Sequence, residues 1–105
     1  MSTACARARI YQAEILSELG CYQEAVDEVT KSIQQLSSLS PRDSKTKFQD
    51  VLLAKAYRVA AEVYELSGNY AAAIESIERM AIANPDMRSK IVKELERLQQ
   101  RASAA

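Results

Sequence analysis

Histidine and tryptophan are absent from this 105-residue chain, and glycine, proline and cysteine occur only twice each. Without histidine, the chain lacks the side chain that most often serves as a general base or as a metal ligand. The two glycines are far apart, so no glycine-rich loop is available to hold a phosphate. We therefore expect no catalytic site, no metal and no cofactor, and we expect that the chain is not an enzyme.

Neither sign of charge predominates, because 14 basic residues balance 14 acidic ones. This balance argues against a nucleic acid or an anionic membrane surface as the partner. No apolar run is long enough to span a bilayer, and the first residues lack the apolar segment of a secretory signal. The two cysteines do not make a disulfide framework. These features favour a reducing, intracellular setting and predict a cytoplasmic protein.

The chain does contain a repeated turn between two helical patterns. Its two copies, Gly20-Cys21-Tyr22 and Gly68-Asn69-Tyr70, begin 48 residues apart. In each copy the glycine can adopt the left-handed conformation that ends a helix, and a tyrosine opens the next helix. An alanine three residues after the tyrosine, Ala25 or Ala73, allows the two helices to approach closely. We interpret the pattern as an internal repeat of helix–turn–helix units.

Apolar residues at steps of three and four predict that the whole chain is α-helical. Five helices are expected, at about residues 3–19, 22–38, 48–67, 70–83 and 85–102. A cap followed by proline at Ser40-Pro41 could start the third helix earlier, so the segment 39–47 is either a linker or a helical extension, and we favour the extension. The expected buried stripe of the first helix is Ala4, Ala8, Tyr11, Ile15 and Leu19.

The second copy resembles the tetratricopeptide repeat, whose two antiparallel helices follow a W-x2-L-G-x2-Y…A-x3-F…P pattern. The residues at these places are Tyr57, Ala60, Ala61, Tyr64, Ala73, Ile77 and Pro85. The first copy follows the pattern less closely, with Arg9 and Gln12 at two of its places. The spacing of 48 residues also exceeds the family's period of about 34.

This resemblance implies an all-α superhelix, or solenoid, formed by two antiparallel hairpins and a C-terminal capping helix. Residues 1–105 then form a single domain. Its parts are repeat one at about 3–38, the linker or extension at 39–47, repeat two at about 48–84 and the capping helix at about 85–102.

In such repeats the first helix of each pair lines a concave surface that commonly receives a peptide or a partner helix. The resemblance thus implies a non-catalytic adaptor or scaffold for a protein or peptide partner. The expected concave-face residues are Arg7, Ile10, Glu14, Glu18, Lys55, Arg58, Glu62, Glu65, Val92 and Glu96. Glu14, Glu62 and Glu96 are expected to form a column of carboxylates that suits a basic residue amid apolar ones. The alternative interpretation is that these residues are solvated helix faces.

Family members that bind the C-terminal tail of the heat-shock chaperones Hsp70 and Hsp90 hold its carboxylate with lysines, asparagines and an arginine. The residues at the matching places here are Ile10, Glu14, Val59, Ser89 and Lys93. Because only Lys93 is cationic and Glu14 would repel a carboxylate, we do not expect this chaperone tail to bind.

Self-association is the alternative function. Two repeats are fewer than the three that usually bury a continuous core, so an apolar edge could pair with a second copy and form a homodimer. The expected edge is Ile91, Val92, Leu95 and Leu98. We favour the other interpretation of this stripe, in which the last helix folds back over the fourth. A third possibility is a non-catalytic domain of a larger scaffold or enzyme.

Overall fold

Five α-helices and one short 3₁₀ turn make up the computed structural model, which describes residues 3–38 and 46–104. The helices are α1 Thr3–Glu18, α2 Tyr22–Ser37, α3 Thr46–Leu66, α4 Tyr70–Ala83 and α5 Ile91–Ala104, and the 3₁₀ turn is Pro85–Met87. Because these two ranges contain no strand, the prediction of an all-α fold is confirmed. None of the helices described is long and apolar enough to cross a membrane.

The two glycine turns have the same geometry. Gly20 ends α1 with a φ of 82°, and Gly68 ends α3 with a φ of 86°. In each turn the glycine amide donates to the carbonyl three residues back at 3.0 Å, and the next amide donates to the carbonyl five residues back at 2.8 Å. This is the hydrogen-bond pattern of the Schellman motif, which satisfies the last carbonyls of a helix. The predicted left-handed glycines and the repetition of the turn are confirmed.

The helices pack on their neighbours in sequence. α1 packs on α2 and α3 on α4, while α2 contacts α3, α1 contacts α3 and α4 contacts α5. Ala25 and Ala73 are fully buried where the second helix of each hairpin meets the first, as expected for positions that need a small residue. The chain measures 45 × 31 × 16 Å, so that the helices form a flat stack.

α3 lies between two hydrophobic cores because it is apolar on two faces. Leu52, Ala56 and Val63 belong to the core that α3 shares with α1 and α2. Ala54 and Ala61 belong to the core that it shares with α4 and α5. The remaining side of α3 is polar and is not covered by another of the described helices.

The buried face of α1 is not the one that the periodicity predicted. All five residues of the predicted stripe are exposed, and its three large members, Tyr11, Ile15 and Leu19, are 46%, 57% and 71% exposed. The residues that α1 buries are Ala6, Ile10, Ala13 and Ser17. At 3.6 residues per turn the two sets lie about half a turn apart. α1 is therefore apolar on two opposite sides, and the prediction took the wrong one.

The last helix begins six residues later than expected. Pro85 opens a 3₁₀ turn, and α5 starts at Ile91. Ile91 and Leu98 are buried in the second core, and Leu95 packs against it. The folding back of this helix over α4 is thus confirmed, and the prediction that these three residues form a free self-association edge is wrong. Val92 alone of the predicted edge is exposed.

The junction between the two hairpins is described only in part. Of the segment 39–47, whose structure was predicted as loop or helix, residues 39–45 lie outside the described residues and residues 46 and 47 are helical. Beyond it, the side-chain amide of Gln49 on α3 donates to the carbonyl of Leu36 on α2. This hydrogen bond ties the start of the second hairpin to the end of the first.

Candidate peptide-binding groove

A groove runs along the exposed side of α3, with α1 on one side and the 3₁₀ turn and α5 on the other. It consists of a cavity of about 400 Å³ toward α1 and a cavity of about 250 Å³ toward α4 and α5. Both cavities are lined by Arg58, Glu62, Met80 and Met87. Because they share these four residues, the two cavities form one continuous surface.

Half of the ten predicted concave-face residues line this groove. They are Glu14, Lys55, Arg58, Glu62 and Glu65. All but one come from α3, whose polar side faces the groove because its two apolar faces are buried. The first helices of both hairpins therefore contribute to the same surface.

The other five predicted residues lie elsewhere. Ile10 is fully buried, so the prediction that it faces a groove is wrong. Arg7 and Glu18 are exposed on α1 but line neither cavity, and Val92 is exposed on α5 and likewise lines neither. Glu96 lines a separate, shallow depression near the C-terminal end of α5.

The carboxylate column of the groove contains Glu94 in place of Glu96. Glu94 lines the smaller cavity beside Glu62, and Glu14 lines the larger one. Two residues along a helix differ in direction by about 200°. The buried stripe of α5 was predicted correctly, but the groove lies beside its other flank, where Glu94 is placed.

The carboxylate of Glu62 is less acidic than an ordinary glutamate. Its pKa is raised, chiefly because partial burial removes water from the charged form. Arg58, whose Nε lies 3.6 Å from Glu62 Oε1, opposes this effect. The charges of Glu14 and Glu94 reinforce it. Lys55 opposes the rise as Arg58 does, so the shift reflects chiefly the partial burial of Glu62 at the centre of the groove.

The α1 side of the groove is held by Lys55. Its Nζ lies 3.7 Å from Glu14 Oε1 and 5.1 Å from the centroid of the Tyr11 ring. Glu14 Oε1 is itself buried and accepts no hydrogen bond within the described part of the chain. The ammonium of Lys55 is thus the cation that faces this oxygen.

The α5 side of the groove is held by Arg97. Its Nη2 donates to Glu65 Oε1 at 2.8 Å and to Glu94 Oε1 at 2.6 Å. Arg101 adds a longer contact, with its Nε 3.6 Å from Glu65 Oε2. The hydrogen bond from Arg97 lowers the pKa of Glu65, which therefore stays charged. These contacts fix the distance between α3 and α5.

The floor of the groove is apolar and contains two methionines. Besides Met80 and Met87, the apolar residues that line it are Val51, Ala54, Val59, Ala61, Ile77, Ile91 and Leu98. Methionine is flexible and polarisable, and it is common on surfaces that accept apolar side chains of varied shape. The two methionines were not predicted to line the site. One precedes Asn84-Pro85 and the other follows it, so their meeting in one groove depends on the path of the chain through that turn.

Comparisons with protein-family models, with curated proteins and with solved structures gave no significant match. In residues 3–38 and 46–104 no three or more carboxylates or cysteines are placed to hold a metal ion. The groove combines an apolar floor with charged rims.

Proposed function

We propose that this chain is a non-catalytic protein-interaction domain, of tetratricopeptide-like architecture, that binds a peptide or a partner helix along the groove of α3. The observation that carries the proposal is the meeting of Glu14, Glu62 and Glu94, from three different helices, above an apolar floor. Such a surface would serve an adaptor or scaffold.

The chemistry of the groove selects an amphipathic ligand with a basic residue. An apolar side chain of the ligand packs on Met80 and Met87, and a neighbouring lysine or arginine reaches Glu62. The cation is attracted by the carboxylate of Glu62 and by those of Glu14 and Glu94 on either side of it. A ligand that presents a carboxylate is disfavoured by the same three glutamates, which argues against the C-terminal tail of heat-shock chaperones.

Selection from a random peptide library displayed on phage tests this proposal. Enriched peptides should carry lysine or arginine between apolar residues, and their binding is measured by fluorescence anisotropy. Glu62→Lys should raise the Kd of such a peptide about tenfold or more, because it places a like charge against the ligand. Glu78→Lys, the same change at an exposed position of α4 that lines neither cavity, should leave the Kd unchanged.

Two results would count against the proposal. One is a selection that yields no binder. The other is a set of binders that respond equally to Glu62→Lys and to Glu78→Lys. Circular dichroism of both variants separates a lost contact from a lost fold.

A further inference from the structure

The outer side of α1 carries an apolar stripe that the described part of the chain leaves exposed. It consists of Ala4, Ala8, Tyr11, Ile15 and Leu19. Leu19 still belongs to this helical line, because its amide donates to the carbonyl of Ile15 at 3.1 Å. Large apolar residues in line on a helix and open to solvent mark an interaction surface. Apart from Tyr11, whose ring lies 5.1 Å from Lys55, this stripe lies outside the groove of α3, so an inference from it does not depend on the proposed function.

We propose that the stripe binds the same stripe of a second copy of the chain, with the two α1 helices antiparallel. The stripe is graded in size, with alanines at its N-terminal end and Ile15 and Leu19 at its C-terminal end. A two-fold axis between residues 11 and 12 places Ile15 against Ala8 of the second copy and Leu19 against Ala4. Ile15 and Leu19 then meet small side chains, as close helix packing requires, and the two Tyr11 rings meet at the axis. A parallel pair would place large against large.

Charges beside the stripe fit the same register. The helical spacing puts Arg7 and Glu18 on the same side of the stripe, and both are exposed. They are eleven residues apart in one chain, about 16 Å along the helix, and so cannot pair with each other. Neither forms an ion pair with another described residue.

The two-fold axis brings these charges together across the interface. The axis brings the same side of the two helices to the same edge of the interface. Measured along the helix axis, Arg7 of one copy then lies within about 3 Å of Glu18 of the second copy. Each dimer then contains two such pairs. Opposite charges at the edge of a helix pair set its orientation and register.

The interface is small. α1 has 16 residues, which gives a helix about 24 Å long, so the dimer forms reversibly over a range of protein concentration. It joins two domains, each with its own groove. A partner that presents two copies of a binding segment would then be held more tightly by the dimer than by the monomer.

Sedimentation equilibrium of the 105-residue chain, from micromolar to near-millimolar concentration, tests the proposal. The molar mass should rise from that of the 11.7 kDa monomer to twice that value. The double variant Ile15→Lys/Leu19→Lys should remain monomeric throughout. The matched control is Ile82→Lys/Val92→Lys, which changes side chains that are 74% and 51% exposed on other helices and should dimerise like the wild type. Circular dichroism checks that both variants are folded.

A charge exchange tests the register. Arg7→Glu and Glu18→Arg should each weaken the dimer roughly tenfold, since every dimer loses two ion pairs. The double exchange Arg7→Glu/Glu18→Arg should restore the wild-type dissociation constant, because only an antiparallel pair sets the two new charges against each other.

Three outcomes overturn the proposal. The first is a monomer at the highest concentration. The second is a dimer that the Ile82→Lys/Val92→Lys control disrupts as strongly as the stripe variant does. The third is a double exchange that fails to restore the dimer weakened by the single changes.

Discussion

Arg97 on α5 and Glu65 on α3 form a paired hydrogen bond between helices that are not neighbours in sequence. Arg97 Nη1 and Nη2 donate to the two carboxylate oxygens of Glu65 at 2.5 and 2.8 Å. The carboxylate is largely buried, whereas the guanidinium is partly exposed and is also held by Glu94. Planar, two-point pairs of this kind fix geometry as well as adding energy. This pair holds α5 at the distance from α3 that opens the smaller cavity.

A double-mutant cycle with Arg97→Ala and Glu65→Gln measures this pair. We expect the two changes to be coupled by about 1 kcal/mol in the free energy of unfolding, at the upper end of the range for partly exposed ion pairs. The reason is that Arg97 makes two hydrogen bonds to Glu65 and a third to Glu94. The matched control is the Arg79–Glu75 pair within α4, with Nε and Oε1 3.0 Å apart on an exposed face. Its coupling should be much smaller, because solvent screens an exposed pair within one helix.

The same cycle should depend on pH. Because the pKa of Glu65 is lowered in the folded chain, its contribution is complete above the ordinary glutamate value of 4.5 and is lost as the pH falls through the lowered value. Urea unfolding at neutral pH and well below 4.5 measures the change. A coupling that survives strong acidification, or one no larger than that of Arg79–Glu75, would contradict this account.

Both turn glycines should be sensitive to alanine. In a left-handed conformation an added Cβ costs about 1–2 kcal/mol. At Gly20 and Gly68 a Cβ would meet no atom within 4 Å, so the whole cost arises from the backbone. Gly20→Ala and Gly68→Ala should therefore lower the free energy of unfolding by similar amounts, and the corresponding asparagine variants by less, because asparagine tolerates this conformation better. Alanine variants as stable as the wild type would show that the turns adjust.

The buried alanines in the first turns of α2 and α4 should not tolerate larger side chains. Ala25→Leu and Ala73→Leu add a large side chain where two helices touch, and each should cost about 1–3 kcal/mol or more. Ala71→Leu makes the same change on the exposed side of the first turn of α4 and should be nearly neutral. Thermal unfolding compares the three variants. Equal stability of Ala71→Leu and Ala73→Leu would mean that the close approach of α3 and α4 is not required.

The sequence predicted those parts of the fold that depend on local chemistry. The glycine turns follow from the conformations open to glycine, and the helices α2 and α4 follow from a single apolar face. α1 could not be oriented, because Ile10 and Ile15 lie on opposite apolar sides and periodicity does not rank them. The start of α5 was missed, because a proline after a cap opens a 3₁₀ turn as readily as an α-helix.

The site shows the same division. The α3 residues Lys55, Arg58 and Glu62 were placed on one surface because they share a side of one helix. Glu94 was missed, since the buried stripe of α5 does not by itself say which of its two flanks faces α3. Contacts between helices distant in sequence, such as that of Arg97 with Glu65, depend on how the helices pack. The spacing of apolar residues does not predict them.

The negative charge of Glu62 should lower the free energy of unfolding. Its pKa is raised in the folded chain, so its contribution to stability is complete below the ordinary value of 4.5 and is lost as the pH rises through the raised value. Glu62→Gln should therefore raise the free energy of unfolding at neutral pH. The gain should be roughly a few tenths of a kcal/mol, because the side chain is 56% exposed and solvent screens it.

Comparison with Glu78→Gln, at an exposed position of α4, separates the effect of the groove from that of removing any one charge. Urea unfolding should show the gain of Glu62→Gln at neutral pH and its disappearance below 4.5, where the wild-type carboxylate is protonated in both states. Loss of stability at neutral pH would instead mean that pairing with Arg58 outweighs the desolvation. The charge of Glu62 would then stabilise the fold, and a cationic ligand would have to compete with Arg58 for this carboxylate.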